Sequence, residues 1–314
     1  MEPEGPLQRD ISDTKAGSVV TNIQRILVPV ALPEAFTDSS RNALYQAAWL
    51  ARHLHAEITL LHVVPRPDYP YGALEAGHEI TAEDLHVQAV KTAQKDLDQA
   101  MLSEFQGVAV TRLLLRGDPA QEIIETARER SVDLIVLSTH GHGAFYRLLL
   151  GSVTAKVLHE TQCPVWTASH IEAPPPGAFS IRRVLCSVDL TPHNRHTLTR
   201  AAEMAAAVHA ELTLVHITGT VEFFGPGGSW VNPEWRDTMV GIATGEIATL
   251  QKDVGTNAEV IIDSGNVPQL LNRAAEQTKA DLLVIGHIPG RSHLGDNGEG
   301  YGIIRESRIP VLSV

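Results

Sequence analysis

Cysteine is scarce in this sequence. The 314 residues contain two, Cys163 and Cys186, in apolar surroundings and at no metal-binding or redox spacing, so buried free thiols in a reducing compartment are expected. Long hydrophobic runs are missing as well. None approaches the length of a membrane-spanning helix and no secretory apolar segment opens the chain, which leads to the expectation of a cytoplasmic protein without a membrane partner. Basic residues are in deficit, 25 against 37 acidic ones for a formal net charge of −12. That balance argues against nucleic acid as a partner, because counterion release needs clustered Lys and Arg. A single phosphorylated small molecule stays open, since backbone amides hold one without net charge. Catalytic signatures are also lacking. There is no nucleophile elbow, no acid and base pair at diagnostic spacing and no metal-ligand cluster, so no catalytic residue and no metal site made by the protein alone is assigned.

Phosphate-binding chemistry is nevertheless present in one stretch, Ser138 to Thr154. It follows the apolar run Leu134 to Leu137 and leads through Val153, Val157 and Leu158 into a helical pattern, so it connects a buried strand to a helix N-terminus. Gly141 and Gly143 allow close backbone approach. Gly151, Ser152, Val153 and Thr154 offer free N–H groups, hydroxyls and the positive end of a helix dipole. Neither GxxxxGK[ST] after a strand nor GxGxxG occurs.

The length suggests two domains of about 150 residues. Residues 1–22 read as a loose polar tail. Arg25 to Val30 reads as a strand, Ser39 to His55 as a helix capped by Ser39 or Ser40, and Glu57 to Val64 as a second strand. A loop, a long helix from Thr81 to Glu104 and a third strand from Val108 to Leu115 follow. Asp118 caps a helix with Pro119 in its first turn, Asp133 to Ser138 is a fourth strand, and Pro164 to Ala168 is a fifth. Strands alternating with helices indicate a parallel sheet covered on both faces. The prolines at 174, 175 and 176 mark a linker, residues 170–180. After it the order repeats. Arg183 to Val188 echoes Arg25 to Val30 at an offset of 158, and His209 to His216 echoes His55 to His62 at 154. Asp281 to Ile285 echoes Asp133 to Leu137 at 148, and Ile309-Pro310-Val311 echoes Cys163-Pro164-Val165 at 146. Two homologous domains, 23–169 and 181–314, are expected.

The spacing of Gly141, nine residues, then Gly151-Ser152, together with Val132 to Val136 and Leu148 to Val153, resembles the nucleotide-binding signature of the universal stress protein family. The resemblance covers Arg25 to Val314 and implies two tandem α/β domains of the flavodoxin-like, HUP-type kind. Each would hold a five-stranded parallel sheet in the order 3-2-1-4-5 with helices on both faces. It implies an adenine nucleotide, ATP with or without Mg²⁺, held in the first domain by Pro29, Val30, Ala31 and Val63 on one wall. The facing wall would be Leu137, Ser138, Gly141, His142, Gly143, Gly151, Ser152, Val153 and Thr154. It also implies a stress-response role and pairing through the last strands, either between the two domains or in a homodimer, with an unknown protein partner.

This sequence departs from the family pattern at two places in the first domain: Ser138 stands where the first glycine is usual, and Ala31 where an aspartate is usual, with Asp38 nearby. The second domain has Asp189 in the aspartate position, for a site role or for capping the next helix. Its loop keeps Gly286 and Gly290 but replaces the Gly-Ser pair, by Asn297-Gly298 without gaps or by Gly300-Tyr301 after a shift, where the ring would crowd a phosphate. A strong site in domain 1 and a weak or absent one in domain 2 are expected. His140 and His142 read as loop histidines, and Arg147 as an exposed arginine or a γ-phosphate contact. The aromatic loop from Gly219 to Trp235 reads as packing over the second pocket. Two other functions remain, a ligand-free interaction module and a slow ATPase.

Overall fold

The computed structural model of the protein describes residues 23–32, 38–65, 82–100, 104–138, 150–168, 179–218, 223–225, 228–230, 233–286 and 299–314. The first half runs β1 (Arg25–Pro29), α1 (Asp38–Leu54), β2 (Glu57–Val64), α2 (Ala82–Gln99), β3 (Val110–Arg116), α3 (Pro119–Glu129), β4 (Leu134–Ser138), α4 (Ser152–Glu160) and β5 (Val165–Ala168). The second runs β6 (Arg183–Ser187), α5 (Asn194–Ala207), β7 (Glu211–Thr218), β8 (Phe223–Gly225), β9 (Gly228–Trp230), α6 (Pro233–Val254), β10 (Glu259–Ser264), α7 (Val267–Thr278), β11 (Leu282–Ile285), α8 (Glu299–Glu306) and β12 (Val311–Ser313).

Short apolar runs become central strands because both of their faces are covered. Ile26 and Val28 of β1 enter one core, with Leu44 and Leu50 of α1, while Leu27 enters the opposite core, with Ile123 of α3 and Val157 of α4. Each half has the strand order 3-2-1-4-5, and the halves join edge to edge into ten strands, β10-β7-β6-β11-β12-β5-β4-β1-β2-β3. All neighbours in this sheet are parallel except the central pair, where β12 runs antiparallel to β5 with Leu312 opposite Trp166. Both cores continue through this seam. Trp166 and Leu312 share one, and Val165 and Val311 share the other.

The halves are fastened by the same devices. The Asp133 carboxylate accepts from the N–H groups of Gln24 and Arg25, and Asp281 accepts from those of Arg182 and Arg183. Asp118 caps α3 by accepting from the Gln121 N–H, and Asn266 caps α7 by accepting from Gln269. Where the chain enters the second half, Phe179 stands edge-on to Trp49 at 5.3 Å and to Trp166 at 6.5 Å between ring centres.

Several local expectations need correction. Ser39 and Ser40 do not cap α1, which already includes Asp38; the stripe of Ala43, Ala47 and Leu50 set its face but not its start. Helix α2 stops at Gln99 rather than at Glu104, and Glu104 to Gly107 forms a turn with Gly107 at φ +78°, a conformation that ends a helix readily. The region 219–235 is not wholly a packed lid. It contains the β8–β9 hairpin, and Trp235 on α6 is 43% exposed.

Candidate functional site

Strands β1 and β4 lie side by side, and the chain leaves them toward opposite faces of the sheet, α1 on one and α4 on the other. A crevice outside their carboxyl ends follows from that divergence. On the β1 side, Pro29 and Val30 are half-buried and Ala31 is exposed. The Val30 peptide is held from both directions. Its N–H donates to the Leu61 carbonyl at 2.8 Å, and its carbonyl accepts from His62 Nδ1 at 2.8 Å. Because a carbonyl can only accept, Nδ1 carries the proton. Val63, one residue on, is buried in the core, so this position faces the crevice with backbone alone.

On the β4 side, Leu137 is buried and Ser138 half-buried. The Thr154 hydroxyl donates to the Ser138 carbonyl at 3.0 Å, which pins the first turn of α4 to the end of the strand. Gly151 is the N-cap, at φ −58° and ψ 141°, and no side chain caps the helix. Among the described residues, the first-turn N–H groups of Ser152 and Val153 therefore remain as donors, with the helix dipole behind them. Lys156, one turn further, reaches Asp118 at 3.2 Å, and that contact, after the hydrogen bond from Gln121, holds the Asp118 carboxyl below its ordinary value. Gly141, His142 and Gly143, with His140 and Arg147, lie outside the described residues, as does Gly290.

The repeat accounts for one departure in physical terms. Gly286 directly follows β11 at the position that Ser138 holds at the end of β4, and a Cβ at Gly286 would stand 3.0 Å from the Thr197 hydroxyl oxygen. At the offset of 154, Thr197 corresponds to Ala43. Domain 1 lacks that hydroxyl on the covering helix and has room for a side chain at 138.

In domain 2 the exposed Asp189 is engaged in its own turn. Its Oδ1 accepts from the Thr191 N–H at 3.1 Å and hydroxyl at 2.8 Å, and Asn194 accepts from its N–H at 3.0 Å. His216 Nδ1 donates to the Val188 carbonyl at 2.7 Å, repeating the His62 clamp. Tyr301 does not crowd a phosphate. It lies within α8, and its hydroxyl donates at 2.5 Å to the Ala155 carbonyl of α4, across the seam. The offset of 146 makes Tyr301 the counterpart of Ala155, in agreement with the gap-free pairing of Gly151 with Asn297. Sequence reasoning overlooked both clamping histidines, although the repeated His-55-to-62 and His-209-to-216 segments contained them.

Among the described residues no group of three or more His, Cys, Asp or Glu side chains is placed to hold a metal ion. Burial pushes the Cys163 and Cys186 thiols up to about 12, so neither supplies a thiolate near neutral pH. Among the described residues the crevice offers peptide N–H groups, small hydroxyls and apolar walls, chemistry suited to an anion rather than to activating a water.

Element order and sheet topology together define a tandem of doubly wound α/β domains. The chain belongs to the universal stress protein family, whose sequence model matches residues 22–168 and again 180–314. A universal stress protein of Methanocaldococcus jannaschii is 30% identical over 148 residues, 47% of this chain and 85% of the relative. Bacillus subtilis YxiE is 31% identical over 133 residues, 41% of this chain and 90% of the relative. The crystal structure of a universal stress protein from Archaeoglobus fulgidus superposes with a TM-score of 0.67 at 20% identity, covering 93% of this chain and 98% of that one, a likeness of fold. No helix among the described residues is long and apolar enough to cross a membrane.

Proposed function

We propose that domain 1 binds an adenine nucleotide, ATP with Mg²⁺, and that the chain acts as a nucleotide-responsive regulator of the stress response. The observation that carries this reading is the uncapped N-terminus of α4, tied by Thr154 to the end of β4 and facing a β1 exit that His62 holds in place. Pro29, Val30, Ala31 and the Val63 backbone take the base and ribose. Leu137, Ser138, Gly141, His142, Gly143, Gly151, Ser152, Val153 and Thr154 surround the phosphates. With no ligating cluster among the described residues, Mg²⁺ would ride on the phosphates themselves. Asp189, Gly286 and Gly290 make at most a weak second site, because Asp189 is spent on Thr191. Hydrolysis is expected to be slow, since among the described residues neither wall presents a general base.

Titration calorimetry of the full chain with ATP and Mg²⁺ tests the proposal, beside Gly151→Val. The φ of −58° at Gly151 is open to any residue, so valine places a Cβ in the anion seat with little backbone strain. One site that vanishes in the variant supports the reading, whereas two equal sites, or no heat with either protein, would overturn it. An interaction module is the second reading. It is favoured by Trp235 and Ile242, which lie seven residues apart on α6 and are 43% and 51% exposed.

A further inference from the structure

The internal repeat relates Phe179 to a cavity on the other side of the seam. Phe179 covers Trp49 of α1 and Trp166 of β5 just before the chain enters domain 2. The two rings it contacts, and residues beside them in the sequence, are carried by the repeat onto domain 2: Gln46, Trp49 and Leu50 become Arg200, Glu203 and Met204 at the offset of 154, and Trp166 and Ala168 become Leu312 and Val314 at 146. Those five counterparts, together with Ile23, the counterpart of Ile181, line a cavity of about 540 Å³ at the foot of domain 1. None of the three rings has an aromatic counterpart in the sequence. Trp49 is replaced by Glu203, Trp166 by Leu312, and the residue aligned with Phe179 at the offset of 158 is Thr21.

Chemistry lining the cavity is divided. Its floor is apolar, with Met204, Leu312 and Val314 from domain 2 facing Ala127 and Ile124 from α3. Its rim is charged with both signs. Arg200 and Glu203 pair at 3.1 Å, whereas Arg128 and Glu160, at the ends of α3 and α4, have no side-chain partner among the described residues. Asp133 is occupied by Arg25 and two backbone N–H groups. A polyphosphate meets carboxylates here, and a purely apolar ligand leaves Arg128 and Glu160 unanswered. The volume falls in the range of small-molecule sites, roughly 300–1,000 Å³.

We infer that the seam cavity binds a small zwitterion carrying an apolar ring, of the size and kind of an aromatic amino acid. The ring takes the place that Phe179 fills in the counterpart, on Met204, Leu312 and Val314. The carboxylate answers Arg128 and the ammonium answers Glu160. Val132, Asp133 and Pro164, which precede β4 and β5, lie at this end, so the site is at the opposite end of the strands from the nucleotide crevice and is independent of it. Because α5 and β12 of domain 2 meet α3 and α4 of domain 1 here, occupancy bridges the two domains.

The test is calorimetry on the full chain with L-phenylalanine, repeated with saturating ATP. One site for phenylalanine, unchanged by ATP and by Gly151→Val, is expected. Arg128→Ala, an exposed position that folding does not need, weakens binding about tenfold, as loss of one charge-assisted hydrogen bond does. Glu203→Trp restores the ring found at residue 49 and abolishes binding. Absence of binding at millimolar phenylalanine, or undiminished binding by Glu203→Trp, overturns the inference. So does stronger binding of N-acetyl-phenylalaninamide, which would identify a peptide seat, or binding that appears only after residues 1–20 are deleted, which would identify that segment as the occupant.

Discussion

His62 does more for the crevice than its burial alone requires. Its ring bonds the Val30 carbonyl at the point where the β1 wall begins, and His216 makes the same bond to Val188 in the second domain. The two residues are 6% and 8% exposed, so each alanine variant loses a comparable hydrogen bond and leaves a comparable cavity, about 2–3 kcal/mol of unfolding free energy. Nucleotide affinity separates them. His62→Ala is expected to weaken ATP binding in domain 1 by about tenfold, the equivalent of one well-placed contact, while His216→Ala leaves it unchanged. His62→Asn, whose amide donates from nearly the position of Nδ1, restores much of the affinity. Equal affinities in all three, by calorimetry, would show that the clamp is structural only. The two residues were legible as repeated letters but not as clamps, because their partner is a backbone carbonyl some thirty residues earlier that carries no side-chain signature. The same holds for Ser138. The sequence marks it as a departure from the family pattern, and only the pairing of Gly286 with Thr197, absent at Ala43, supplies the reason.

At the scale of elements, the two helices that follow the third strands are capped alike but respond differently to acid. Asp118 and Asn266 both accept an N–H from the third residue beyond. Asp118 is ionised, and its carboxyl is held below its ordinary 3.8 chiefly by the Gln121 N–H and then by Lys156. A lowered folded value means that this contribution is complete above the unfolded value, near pH 4, and is lost as pH falls through the folded one. Asp118→Asn gives α3 the cap that α7 already has. At pH 7 the variant is expected to melt below the parent protein, because the bridge to Lys156 and the charge at the helix N-terminus are gone. The gap should begin to close below about pH 4 and narrow further as pH falls through the lowered folded value, where the parent's carboxyl takes up its proton. Thermal melts of both proteins from pH 7 to pH 3 measure this directly, and a gap that stays constant would mean that the charge contributes nothing. Caps of this kind were readable in advance, since Asp118-Pro119 follows a glycine and precedes a periodic run. The end of α2 at Gln99 was not, because the apolar pattern continues through Met101 and Phe105 and the chain is turned there by Gly107 at φ +78°.

At the scale of the whole molecule, the internal repeat made the tandem legible and the family resemblance supplied the strand order, and the seam is what both left partly hidden. Four offsets that fall from 158 to 146 anchored four of the five sheet strands in each half, while the third strand had no anchor and its second copy, β10, was found only in the structure. They did not reveal that Phe179 would pack on Trp49 and Trp166, since that contact has no counterpart in the other half. The seam also determines how the halves behave when separated. Residues 165 to 168 of β5 are each at most 1% exposed, and the strand presents its free edge to β12 alone. Without domain 2 that edge would expose unpaired N–H and C=O groups beside the large apolar surface of Trp166, a combination that drives edge-to-edge pairing. A second copy of domain 1 offers an edge of the same polarity, and a twofold axis sets it antiparallel, as β12 is now. The fragment 22–170 is therefore expected to be a dimer at micromolar concentration by sedimentation equilibrium. Trp166→Lys in the fragment should make it monomeric by placing like charges across the axis. A monomeric unsubstituted fragment would mean that β5 is covered from within its own domain, and that the antiparallel pair contributes little to holding the intact chain together.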